Sequence, residues 1–427
     1  MIEYHALLLA LLVGSQALFS ALAILNVRHG ARESRANGEW LEERIGVESV
    51  DELIDYNRAT AGLGQLQSWT LLALLLVALY AGALGDAVAA LRDTGLGPTA
   101  QGLIFFLGIL LIQRVAQAPF DLYETFVIDE QFGFNEQTPR LWLRDAAVGT
   151  AVALVLGGAL LGAVLWVIAA APTWWWVGAW LLVVGFGLVM QILYPRVIAP
   201  LFNEFEPVAD GELHDAVVDV FDRAGFETSD IYTMDASRRS SRLNAYFTGF
   251  GSTKRVVLFD TLVEELSVPE IQSVLAHELA HWKKAHIWKG LGASAIRTGV
   301  AFAALGYLVD ATWLYVMFDI PAEATYAGLF VAALFVYPLF GLTAPLVNRF
   351  WLGFEREADA FAVDVMGDGR PMADALAELA RENLANPFPH PWYAAFHHTH
   401  PPIPERIRAV QSEDDRGDAA APARPSG

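Results

Sequence analysis

The sequence contains no cysteine. Disulfides, thiolate metal sites and cysteine nucleophiles are therefore excluded together, and the redox compartment stays open. Lysine is nearly absent too. Only Lys254, Lys283, Lys284 and Lys289 occur, so almost every cation is an arginine. Charged residues make up only 18% of the 427, against 55% hydrophobic ones. Water alone cannot solvate such a chain, so lipid must cover part of it. The charge that is present sums to -20, and it has to reside in loops and a polar domain. An acidic surface repels phosphate backbones, which argues against nucleic acid as a partner. Oligomeric state leaves no signature in the sequence.

What the chain does have is long apolar runs, near 6–27, 66–90, 102–118, 146–170, 174–194, 290–309 and 327–347. Most reach the roughly 20 residues that cross a bilayer core. The first lacks a basic leader and exceeds the usual apolar length of a signal peptide, so it reads as a retained span. Arg28, Arg32, Arg35, Arg44 and Arg58 follow span 1, and Arg140 and Arg144 follow span 3, whereas the alternate loops are poor in basic residues. The positive-inside rule then puts the N-terminus outside a cell membrane and the C-terminus in the cytoplasm. Trp174, Trp175 and Trp176 fall at an outer turn, either as an interfacial belt or as plain lipid-facing packing. Arg114 and Arg297 lie within apolar runs and Asp86 lies toward the end of one. Either the bundle has a wet interior or these side chains snorkel to an interface.

An odd number of spans puts 195–287 and 348–427 on one side, where they can build a common site. Helical periodicity runs from Leu213 to Phe226, and strand-like runs follow at Ile231–Met234, Ala245–Phe250 and Arg255–Phe259. Ser267 and Glu270 form a capping-box pattern around Pro269, opening a helix expected to run through Ile271 to His286. A second helix is expected from Asn348 through Glu355 to Val365. Beyond Ser412 the composition predicts a disordered tail.

Residues 277–281 read His-Glu-Leu-Ala-His. Four residues apart on a helix, His277 and His281 differ by about 40° in azimuth and can share one ion. Glu278 sits beside that face, placed to act as a base on water. A catalytic zinc takes a third protein ligand and keeps one position open. On a continuing helix His286 would point away from this pair, which predicts a supporting or surface role. The later stretch Phe354–Phe361 offers Glu355 and Asp359 on one face, with Glu357 pointing the other way. Glu355 is the expected ligand and Asp359 the acceptor that orients a ligand imidazole, with the reverse assignment open. His397, His398 and His400 form a cluster that is ambiguous on the residues alone. A transporter or receptor with a structural zinc site is the competing reading, but no repeated half with interrupted spans is visible. Because Lys283, Lys284 and Lys289 separate the motif from the next apolar run, the site should lie at the cytoplasmic membrane edge.

Five blocks give the chain a specific resemblance: Thr125–Asn135, Ile198–Asn203, Ser240–Phe247 with Arg255–Glu264, His277–His286, and Phe354–Phe361 with His400-Pro-Pro. Together they resemble the type I CAAX prenyl proteases, the a-factor-converting zinc metalloendopeptidases, along nearly the whole chain. The acidic, lysine-poor composition suggests a prokaryotic, halophilic archaeal member. The resemblance implies a mainly α, polytopic protein. Seven transmembrane helices would surround a chamber, beside a cytoplasmic α+β zincin-like metalloprotease domain. It carries one Zn2+ onto His277, His281 and Glu355, and the base onto Glu278. His400 becomes a transition-state donor and Arg406 its support, and Asn244 and Ala245 fall on a strand that binds extended substrate. The implied partners are the lipid bilayer and a peptide or protein substrate, prenylated as for the family or unmodified as for a quality-control protease. The expected organisation is a membrane part over 1–194, with cytoplasmic loops 28–65 and 119–145. A protease part over 195–289 follows, then spans over 290–347, a second protease segment over 348–412 and the tail over 413–427.

Overall fold

The computed structural model describes residues 1–227, 230–248 and 255–420. Among them seven helices are long and apolar enough to cross a bilayer: Ile2–Ala36, Val50–Tyr80, Pro98–Asp129, Pro139–Ala170, Trp175–Leu201, His286–Val309 and Thr325–Leu342. Several outrun the apolar segments that announce them. A helix of 35 residues is about 50 Å long against a hydrocarbon core of about 30 Å. The surplus stays helical because Arg, Glu and Gln are good helix formers once a turn is nucleated. Much of the expected loop 28–65 is therefore helix. Span 2 ends earlier than its apolar run suggests, because Gly82 takes φ +88° and starts a separate helix, Ala83–Asp93. Asp86 consequently lies outside the span, exposed in that short helix.

Each span packs against the next, and the seventh returns to the first, closing a ring. Only 6% of the most apolar window of spans 2, 3 and 5 is buried, against 44% for span 7, which also packs on span 3. The membrane helices surround a chamber. One recess of about 380 Å³ opens between spans 1 and 2 and is lined by polar Asn26, Asn57, Gln65 and Ser68. Arg297 donates to the Phe340 carbonyl at 3.1 Å, across to span 7, whereas Arg114 is exposed.

The polar part holds a four-stranded sheet in the order β1-β2-β4-β3. Its strands are β1 Phe205–Pro207, β2 Asp230–Met234, β3 Ala245–Thr248 and β4 Arg255–Phe259. β2 and β4 are parallel, whereas β1 and β3 pair antiparallel at the edges. Val256, Val257 and Leu258 are all buried, as expected of a strand covered on both faces. Ile271, Leu275 and Leu279 of helix Val268–Lys283 pack with that strand and with Val217 and Phe221 of helix Glu212–Ala224. Burying each such side chain is worth about 1.5–3 kcal/mol.

Two junctions place the site. Helix Val268–Lys283 stops at Lys284, Ala285 takes a left-handed φ of 58°, and His286 opens span 6. The helix therefore does not continue to His286 as expected, and span 6 begins before Lys289 rather than after it. Helix Ala344–Met366 follows span 7 after the single residue Thr343. Spans 6 and 7 pack together, and so do the two helices that hang from them. The last helix, Ile403–Ala420, docks through Ile407 and Val410 onto Leu41 and Ile45, after span 1, and onto Leu53 in the first turn of helix Val50–Tyr80. It continues past Ser412, where disorder is expected to begin, because no proline interrupts it before Pro422. The rest of that expected tail, 421–427, lies outside the described residues, as do 249 and 250 of the strand-like run from Ala245.

Candidate active site

Helix Val268–Lys283 is fixed at its start by Ser267, whose N–H donates to Glu270 Oε2 at 2.7 Å. From there its buried face carries His277 and His281 toward helix Ala344–Met366. His277 Nε2 lies 3.4 Å from His281 Nε2 and 3.4 Å from Glu355 Oε2, and His281 Nε2 lies 3.5 Å from Glu355 Oε1. Ligand atoms of all three side chains fall within 4.8 Å of one another. Two imidazole nitrogens and a carboxylate, buried and convergent, fit one metal ion and leave room for a further ligand. A second acidic group, Glu265, Glu378 and Glu382, differs in kind, since Arg381 pairs with both Glu378 and Glu382.

His277 turns its other nitrogen outward from the cluster. Nδ1 lies 2.9 Å from Asp359 Oδ1, and Arg406 grips that carboxylate with two bonds of 2.6 and 2.9 Å. Asp359 and Arg406 are both buried, so this is a dry, bidentate ion pair. Burial pushes the Asp359 carboxyl up, but the His277 bond and then the Arg406 pair outweigh it and hold the group below its ordinary range. His400 contacts Glu355 Oε2 through Nδ1 at 2.5 Å, with its side chain 59% exposed. His397 and His398 do not join the cluster; both lie against Tyr393.

Glu278 is partly buried on the same helix, and its carboxyl is pushed up, mainly by that burial. Asn244 is exposed at the entry to β3, its Oδ1 accepting from the Ala245 N–H at 2.8 Å. The strand is seated on the motif helix by Phe247, packed edge-on against Trp282 at 5.3 Å. Upstream, Arg242 bonds Asp129 at 2.9 Å and the Tyr56 hydroxyl, and Arg239 bonds Asp145 at 2.8 Å. The segment leading into β3 is thereby anchored to the ends of the membrane helices.

The sequence allowed His286 a supporting role but not the geometry that brings it to His281. His286 is fully buried and contacts His281, while Glu357, which does point away from the ligand cluster, reaches His286 Nε2 at 3.1 Å. No glycine or proline marks the reversal at Ala285, so the sequence offered no signal for it.

Burial works to lower the His277 pKa, but hydrogen bonds to Asp359 and Glu355 outweigh it and carry the group up to about 9. His281, depressed to about 4 by burial and then by the His277 charge, stays neutral near physiological pH. The metal-free fold thus binds a proton at His277 more tightly than the unfolded chain does. That stabilisation is complete below the ordinary value of 6.5 and is lost as pH rises through about 9. The unfolding temperature of chelator-treated protein should fall between those limits. In metal-loaded protein the ion replaces the proton and the fall should disappear. Thermal unfolding across that pH range, with and without metal, checks this.

Residues 26–204 match the family described as CAAX prenyl protease N-terminal, five membrane helices, and residues 207–414 match Peptidase family M48. CAAX prenyl protease 1 of Saccharomyces cerevisiae is 33% identical over 405 residues, 87% of each chain. The chain belongs to the CAAX prenyl protease 1 family. A homolog from Arabidopsis thaliana is 35% identical over 334 residues, 77% of this chain and 78% of its own. The crystal structure of S. mikatae Ste24p superposes with a TM-score of 0.86 at 27% identity, covering 96% of this chain and 99% of the other. As a CAAX prenyl protease family member the chain is a multi-pass membrane metalloprotease that acts on peptide or protein substrates. A transporter or receptor with a structural zinc site does not fit a family of peptidases.

Proposed function

We propose that this protein is a zinc endopeptidase of the HExxH-plus-Glu type. In this reading His277, His281 and Glu355 hold one zinc ion, Glu278 is the base, and the substrate is the C-terminal end of a prenylated protein. The observation that carries it is the convergence of those three donors beside the partly buried Glu278. A zinc ion held there supplies Lewis-acid chemistry, polarising a peptide carbonyl and lowering the pKa of water. Glu278, its carboxyl raised by burial, takes a proton from the attacking water and delivers it to the leaving amine. Asp359 holds the ring of His277, and Arg406 holds Asp359 in turn. His400 is tethered to Glu355 yet more than half exposed, which suits a donor to the carbonyl oxygen as charge develops. β3 lies at the edge of the sheet, where Asn244 and Ala245 present backbone to an extended peptide. The substrate class is drawn from the relatives' names and from the membrane chamber beside the site. We also propose that the N-terminus lies outside the cell membrane and the site in the cytoplasm, from the arginine distribution of the loops.

The test pairs a prenylated peptide with an unmodified peptide of the same sequence, using purified protein in proteoliposomes. Cleavage should be lost on chelation, return with zinc, and favour the prenylated peptide at least tenfold. Cleavage indifferent to chelator sinks the metal assignment. Equal cleavage of both peptides supports a quality-control protease instead.

A further inference from the structure

His286 is not among the proposed ligands, yet the fold holds it tightly. Its ring is fully buried and lies parallel to Phe354, with centroids 4.1 Å apart. Ala285 adopts a left-handed conformation that L-residues rarely take, and this turn brings the ring back toward the motif helix. Nδ1 lies 3.2 Å from His281 Nδ1, and Nε2 lies 3.1 Å from Glu357 Oε2.

With both rings neutral, these contacts admit one arrangement of protons. An ionised carboxylate can only accept, so neutral His286 carries its proton on Nε2 and donates it to Glu357. Its Nδ1 is then a lone pair, and the short contact requires His281 to donate from its own Nδ1. His281 is left with a lone pair on Nε2, the atom that faces His277 and Glu355.

We propose that His286 is a positioning residue for the metal site: it sets the tautomer and ring plane of His281, and Glu357 sets His286. The proposal rests on the reading of His277, His281 and Glu355 as ligands. The two imidazoles are then supported unequally. Behind His277 stands a buried carboxylate locked by Arg406, whereas behind His281 stands a neutral ring whose own acceptor, Glu357, is 52% exposed. A charged acceptor strengthens a ligand more than a neutral one, so His281 is the more weakly supported of the pair.

Zinc affinity of the full-length protein in detergent, measured by chelator competition, tests this alongside thermal unfolding of the metal-free form. His286→Phe keeps a ring against Phe354 but has no acceptor. Its zinc affinity should fall about 10- to 100-fold, with metal-free unfolding close to that of the parent protein. His286→Asn places an amide oxygen near the position of Nδ1 and should recover most of the affinity. Glu357→Ala should give a smaller loss. Unchanged affinity in His286→Phe overturns the proposal. Equal losses in the Phe and Asn variants also overturn it, since they would mark packing rather than an acceptor. Unchanged zinc affinity in His281→Ala would instead show that the ligand reading has failed.

Discussion

Glu278→Gln should retain its zinc and lose about 10²- to 10⁴-fold in kcat with little change in KM. The amide matches the carboxylate in shape but cannot take a proton from water. Because Glu278 is not one of the three convergent donors, the metal should stay at one ion per chain. Glu355→Gln should behave oppositely and release the ion, since it changes a donor. Metal analysis beside peptide cleavage separates the two. A Glu278→Gln protein that cleaves like the parent sinks the proposed mechanism. Burial also raises the Glu278 carboxyl, so the acid limb of kcat/KM should lie above the ordinary glutamate value of 4.5.

The largest expected effect on stability is at Arg406. Replacing it with Met leaves the Asp359 carboxylate buried beside His277 without its bidentate partner. Removing one member of a buried ion pair costs about 3–5 kcal/mol, mostly the penalty of stranding the other charge. Arg406→Met should therefore unfold at distinctly lower temperature and bind zinc more weakly, because the support of His277 is loosened. Adding Asp359→Asn should restore part of the stability, since the stranded charge is gone. If the double variant is no more stable than Arg406→Met alone, the pair is not coupled as described.

The parts legible in the sequence were those set by local periodicity or length. Apolar runs announced all seven spans, and the capping box with its two histidines announced the motif helix. β4 was readable end to end because the β-branched Val256 and Val257 run on into apolar Leu258. β1 was not, since three residues with a closing proline carry no pattern. The helical extensions beyond the bilayer were hidden because a hydropathy reading sees the lipid boundary rather than the end of the helix. The pairing of His286 with Glu357 spans 71 residues and hangs on one left-handed alanine. Glycine would have signalled that turn; alanine did not. The stretch from Gly82 shows the reverse case, where an apolar run hid a break that glycine allowed.

The donors from helix Val268–Lys283 and from helix Ala344–Met366 are separated in the chain by the sixth and seventh membrane helices. During synthesis the two histidines emerge first, and the carboxylate that completes their set is made only after both remaining segments have been translated. A nascent chain that ends before Glu355 therefore lacks a full set of donors. Under the proposed assignment the enzyme has no peptidase activity until membrane insertion is nearly finished, and its own biogenesis serves as the activation step that other proteases obtain from a removable propeptide.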